Sequence, residues 1–68
     1  MKVQQETVDI KYDGLYLSVT IEFDDGREYL SEIAATSDGT DVTSIFTDCV
    51  QSLIKKSAIE AINQRNEP

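Results

Sequence analysis

Nine residues, Leu15 to Phe23, alternate strictly between apolar and polar, and an Asp-Gly turn stands at each end. Leu15, Leu17, Val19, Ile21 and Phe23 share one face of an extended chain. Tyr16, Ser18, Thr20 and Glu22 share the other. A period of two is the signature of a half-buried strand, because successive side chains point to opposite faces. Upstream, Val8, Ile10 and Tyr12 alternate with Thr7, Asp9 and Lys11. Asp13-Gly14 lies between the two runs and supplies the positive φ angles of a two-residue hairpin turn. That turn predicts the pairs Tyr12–Leu15, Ile10–Leu17 and Val8–Val19, all apolar and all on one face. A one-residue slip would set them against Tyr16, Ser18 and Thr20, so the register is strongly specified.

The second turn, Asp24-Asp25-Gly26, allows two loop lengths. A two-residue loop sets Phe23 opposite Glu28 and Val19 opposite Glu32, placing carboxylates on the core face at a cost. A three-residue loop with Gly26 as a bulge instead pairs Ile21 with Tyr29 and Leu17 with Ile33. The second is the expectation here, with Glu22 and Glu28 then facing each other outside.

Beyond Ser37-Asp38-Gly39-Thr40-Asp41 the period changes to that of a helix. Val42, Ile45, Phe46, Cys49, Val50, Leu53, Ile54, Ala58, Ala61 and Ile62 form one predicted apolar face, with Thr40 or Asp41 as the cap. A helix of about 22 residues would be about 33 Å long and would overhang strands of about 27 Å. Ile59 and Ile62 at its far end are therefore candidate contacts for a homodimer. Cys49 is expected as a buried, inert thiol, and Asn66-Glu67-Pro68 as a frayed end. The fold class expected is α+β: one two-layer domain over 1–68, a three-stranded antiparallel β-meander followed by one long C-terminal α-helix packed on one face (βββα).

Composition narrows the function. Thirteen acidic and six basic residues give a net charge of −7, with no histidine and one cysteine. Residues 1–41 hold ten of the acids and only Lys2, Lys11 and Arg27 as bases, so the whole net charge belongs to the strands and their loops. Such a chain lacks a basic footprint for phosphate, which argues against direct nucleic-acid binding and against anionic membranes, and favours a basic protein partner. The missing histidine removes histidine-dependent triads and dyads. The single cysteine excludes an internal disulfide. Apolar residues are 40% and charged residues 28%, the balance of a globular chain. The apolar runs fall well short of the roughly 18 residues of a membrane span. No apolar signal-peptide core follows Met1-Lys2-Val3. The expected compartment is the cytoplasm.

The Asp-rich turns do not fit a calcium-binding loop. With Gly26 at the sixth position of a calcium loop, Ile21 and Phe23 fall where oxygen ligands belong; with Gly39 there, Ala34 and Ile45 do. Three isolated glycines make no phosphate-binding fingerprint. No catalytic residue, metal ligand or cofactor is assigned. The expected site is the outer sheet face, carrying Asp9, Tyr16, Glu22, Glu28, Leu30 and Glu32, with Tyr16 and Leu30 as apolar anchors inside a charged rim. The chain is expected to be a small acidic interaction module that binds a basic protein and self-associates. An alternative is an acidic mimic of nucleic acid that inhibits a DNA-handling, defence or repair enzyme. In size and charge the chain resembles small phage-borne inhibitors of that kind, a likeness of composition that carries over no residue. A small enzyme subunit is the third reading.

Overall fold

A computed structural model describes residues 3–65, and all three predicted strands and the C-terminal helix are present. Strands β1 (Gln4–Tyr12), β2 (Leu15–Asp24) and β3 (Arg27–Ala35) form one antiparallel sheet in the order β1-β2-β3. Helix α1 (Asp48–Arg65) covers one face, giving the βββα, α+β architecture. The expected fraying of Asn66-Glu67-Pro68 lies outside the described residues.

The first hairpin has the predicted register: Tyr12 with Leu15, Ile10 with Leu17, Val8 with Val19. Asp13 (φ 51°) and Gly14 (φ 81°) both occupy the left-handed region, whose twist matches that of the strands.

The second hairpin differs from expectation. Asp24 pairs with Arg27 across a two-residue turn, with Asp25 at φ 51° and Gly26 at φ 78°. Ile21 faces Leu30, not Tyr29; Leu17 faces Ala35, not Ile33. The conflict with Glu32 is resolved inside the strand. The register shifts between Thr20 and Ile21, so Thr20 pairs with Glu32 and Val19 with Ile33, and Ser31 is left over as a bulge. Aspartate tolerates the left-handed region, so the turn takes its preferred shape and the extra residue moves five positions along the chain. Phe23 does face Glu28, but at the end of the sheet, where Glu28 stays exposed and keeps its water.

The core is Leu17, Val19, Ile21 and Ile33 from the sheet against Ile54, Ala58 and Ile62 from α1. Val8, Ile10, Tyr12, Phe23, Leu30 and Val50 pack around it. The helix turns the i, i+4 row Val50-Ile54-Ala58-Ile62 to the sheet and buries the last three. Leu53 lies about 100° behind Ile54 on the helical wheel, and Cys49 about 40° further round. Both are exposed, which corrects the expected burial of Cys49.

The helix is also shorter than expected. A 3-10 turn spans Thr43–Ile45, Phe46 is extended (φ −98°, ψ 142°), and α1 starts only at Asp48. Long-range bonding overrides the helical spacing of Val42, Ile45 and Phe46. The Val42 N–H donates to the Ile33 carbonyl (2.8 Å), and Asp41 bridges Ala34 in the antiparallel sense. The Ile33 N–H donates to Thr43 Oγ1 (2.8 Å), whose own proton goes to Asp41 Oδ1 (2.7 Å). These contacts hold 41–43 along the second half of β3. The Ala35 N–H donates to the Thr40 carbonyl (2.9 Å), extending the cover. Thr47 then caps α1, accepting from the Val50 N–H (3.3 Å). Gln51 Nε2 donates to the Thr43 and Phe46 carbonyls (2.9 Å each), fastening the turn to the helix.

At 18 residues α1 is about 27 Å long, shorter than strands of 9 and 10 residues. It has no overhang. Ile62 is 1% exposed and Ile59 half-buried against the core, so the expected uncovered apolar end does not exist and Ile62 is not free for a second chain. Among the described residues no helix is long and apolar enough to cross a membrane.

Candidate interaction surface

The sheet face turned away from α1 is built in cross-strand rows. Gln5, Glu22 and Tyr29 form the first; Thr7, Thr20 and Glu32 the second; Asp9, Ser18 and Ala34 the third; Lys11 and Tyr16 the fourth. Neighbours within rows are joined where chemistry allows. Gln5 Nε2 donates to Glu22 Oε2 (3.3 Å), the Thr7 and Thr20 hydroxyls share a hydrogen bond (2.9 Å), and Lys11 Nζ stands 5.4 Å from the Tyr16 ring centroid.

Four of the six expected face residues are here: Asp9, Tyr16, Glu22 and Glu32. Glu28 and Leu30 are not. The two-residue turn puts them on the helix side, Glu28 opposite Phe23 and Leu30 opposite Ile21. Tyr29 takes the outer position instead, next to Glu22. The face thus carries three carboxylates, one lysine and two exposed tyrosines, Tyr16 at 64% and Tyr29 at 45%. Tyr29 was missed because the bulge at Ser31 has no glycine to announce it.

The edges differ. The second half of β3 is covered by 40–43, as described. Along β1, Arg65 from the end of α1 bonds Glu6 Oε1 through Nη2 (2.7 Å) and the Thr7 carbonyl through Nη1 (3.2 Å). Exposed pairs of this type contribute little, roughly 0–1 kcal/mol, but the second bond shows that the Thr7 carbonyl points off the sheet. Hydrogen-bonding direction alternates along an antiparallel strand. The backbone groups of Gln5, Thr7, Asp9 and Lys11 therefore point outward, away from β2.

A shallow apolar concavity of about 390 Å³ opens at the Asp13-Gly14 end, lined by Leu15, Tyr16, Val42, Ile45 and Phe46 among others. Ile45 there is 71% exposed. Two carboxyls have shifted acidities. The Asp38 pKa is lowered by hydrogen bonds from the Thr40 backbone and hydroxyl, and that of Asp41 by those from the Thr43 backbone and hydroxyl. Both are loop carboxyls open to solvent. Among the described residues no group of three metal-ligating side chains comes together and no polar side chain is buried. No protein-family model, curated protein or solved structure matches the chain.

Proposed function

We propose that the chain is a small non-enzymatic interaction module that self-associates and docks a basic protein on the uncovered face of its sheet. The observation that carries this reading is the pair of exposed tyrosines, Tyr16 and Tyr29, at outer-face positions among Asp9, Glu22 and Glu32, with Tyr29 at the β3 border beside Gln51 and Lys55 of α1. Tyrosine brings contact area at small entropic cost and is enriched at binding hot spots; surrounding carboxylates select the charge of the partner. The −7 net charge adds a long-range field that speeds encounter with a cation-rich surface. The mixture of tyrosine with carboxylate favours protein docking over imitation of nucleic acid, which would rest on charge alone.

The test is salt-graded capture on the immobilised protein, run beside a Glu22→Lys/Glu32→Lys variant and a Tyr16→Ala/Tyr29→Ala variant. The expectation is a set of basic proteins held by the wild type and released between about 0.1 and 0.4 M NaCl, and lost from both variants. Equal capture by wild type and both folded variants would remove the outer face as the docking site.

A further inference from the structure

We propose that two copies of the chain pair antiparallel along their β1 edges, about a two-fold axis at Ile10, into one continuous six-stranded sheet. The inference deepens the self-association in the reading above and names its surface and register. Three observations carry it. First, β1 is the longest edge left open among the described residues: 40–43 lie along the second half of β3, whereas Asp9 and Lys11 present their backbone groups outward with no partner among the described residues. Second, the outer-face charges of β1 are complementary to themselves in one register only. With the axis at Ile10, Asp9 meets Lys11 of the second copy and Lys11 meets its Asp9, while on the helix side Ile10 meets Ile10 and Val8 meets Tyr12. An axis at Asp9 sets that carboxylate against itself, and an axis at Val8 sets Glu6 against Ile10; both are unfavourable. Third, the favoured register respects what already occupies the edge. Thr7, whose carbonyl is taken by Arg65, falls opposite the turn residue Asp13 and outside the new ladder, and Glu6 falls opposite Gly14, which presents no side chain to the Arg65–Glu6 pair.

The helix side agrees. Val8, Ile10 and Tyr12 are only half-buried by their own α1. Gln51 and Lys55 border Leu30 and Tyr29 of β3, so the opposite flank of α1, which carries the 50%-exposed Leu53, is turned away from β3. A five-residue ladder is short, so the association is weak, with dissociation in the micromolar range or above.

The experiment is sedimentation equilibrium of the full chain up to about 500 μM in about 0.15 M salt. The wild type should approach twice 7.6 kDa. Asp9→Pro removes an N–H that the β1–β2 ladder does not use and places a ring at the edge, so it should give a folded monomer by far-UV circular dichroism. Lys11→Asp should weaken the pair by at least about tenfold, because two attractive contacts become repulsive at once, and Asp9→Lys/Lys11→Asp should restore it. A wild type that stays at 7.6 kDa throughout overturns the proposal. So does a dimer indifferent to Asp9→Pro and Lys11→Asp, or a double variant no tighter than Lys11→Asp. None of these outcomes touches the docking of a basic partner, which is read by the outer-face variants.

Discussion

Salt should tighten self-association and loosen partner docking, and the size of the first effect follows from the molecule's charge and dimensions. Each chain carries −7, and its two shorter extents are 25 and 23 Å, so copies joined edge to edge have centres about 24 Å apart. Coulomb repulsion between two such bodies in bulk water is about 8 kcal/mol before screening. With a Debye length of 30 Å at 0.01 M salt, about 4 kcal/mol survives; with 8 Å at 0.15 M, about 0.4 kcal/mol does. The Asp9–Lys11 contacts are also screened, and two exposed pairs give back at most about 2 kcal/mol. The balance is at least roughly 1.6 kcal/mol, a gain of at least about 15-fold in the association constant between the two conditions. Sedimentation equilibrium at both salt concentrations measures it directly. An association constant that is flat or falls across that interval refutes the reasoning, because the net charge of the two bodies would then not govern their approach. A basic partner, attracted by the same −7, should show the opposite slope.

Further expectations concern the fold and its acid limb. Val19→Asp should abolish folding, since a lone carboxylate would sit at a fully buried position in a domain whose whole stability is of the order of 3–10 kcal/mol; a cooperative melt in that variant would mean the strand faces are wrongly assigned. Deleting Ser31 should leave every cross-strand pair in place, with Thr20–Glu32 following directly on Ile21–Leu30, and lower the melting temperature by less than about 8 °C; deleting Ser18 should turn Leu17 outward and prevent folding. Thr43→Val leaves the Ile33 N–H without its acceptor and should cost about 1–3 kcal/mol in a urea titration; an unchanged midpoint would deny the hydroxyl its role. Asp41 has a lowered pKa when folded. Its contribution is therefore present above the ordinary aspartate value of about 4 and disappears as pH falls through the lower one. Asp41→Asn should flatten the loss of melting temperature as pH falls below about 4, and identical slopes in both proteins would remove Asp41 from the acid response.

What could be read from the chain was whatever local chemistry decides. The first hairpin was legible to the residue, because Asp13-Gly14 sets a turn and three apolar pairs confirm its register. The second was legible only as a hairpin. Its turn prefers two residues, its faces demand an odd shift, and the sheet reconciles them at Ser31, where nothing in the local sequence marks a bulge. Leu30 and Glu28 consequently changed faces with Tyr29, and four of the six expected site residues kept their place. The start of the helix was hidden for a different reason. Val42, Ile45 and Phe46 have helical spacing, but the Ile33 backbone claims Val42 and Thr43 from nine and ten residues away. Shortening α1 removed the overhang, so Ile62 became core. Cys49 and Leu53 moved outward because burial follows one row of side chains rather than a broad stripe.

The segment that folds back over the last residues of β3 has a consequence for assembly. Indefinite stacking of sheets, the route to fibres, needs a free border at both sides of every unit. Here the chain's own return covers the second half of β3, so copies joined along β1 would leave a newcomer only the short stretch 27–31 to pair with, and further growth would be hindered.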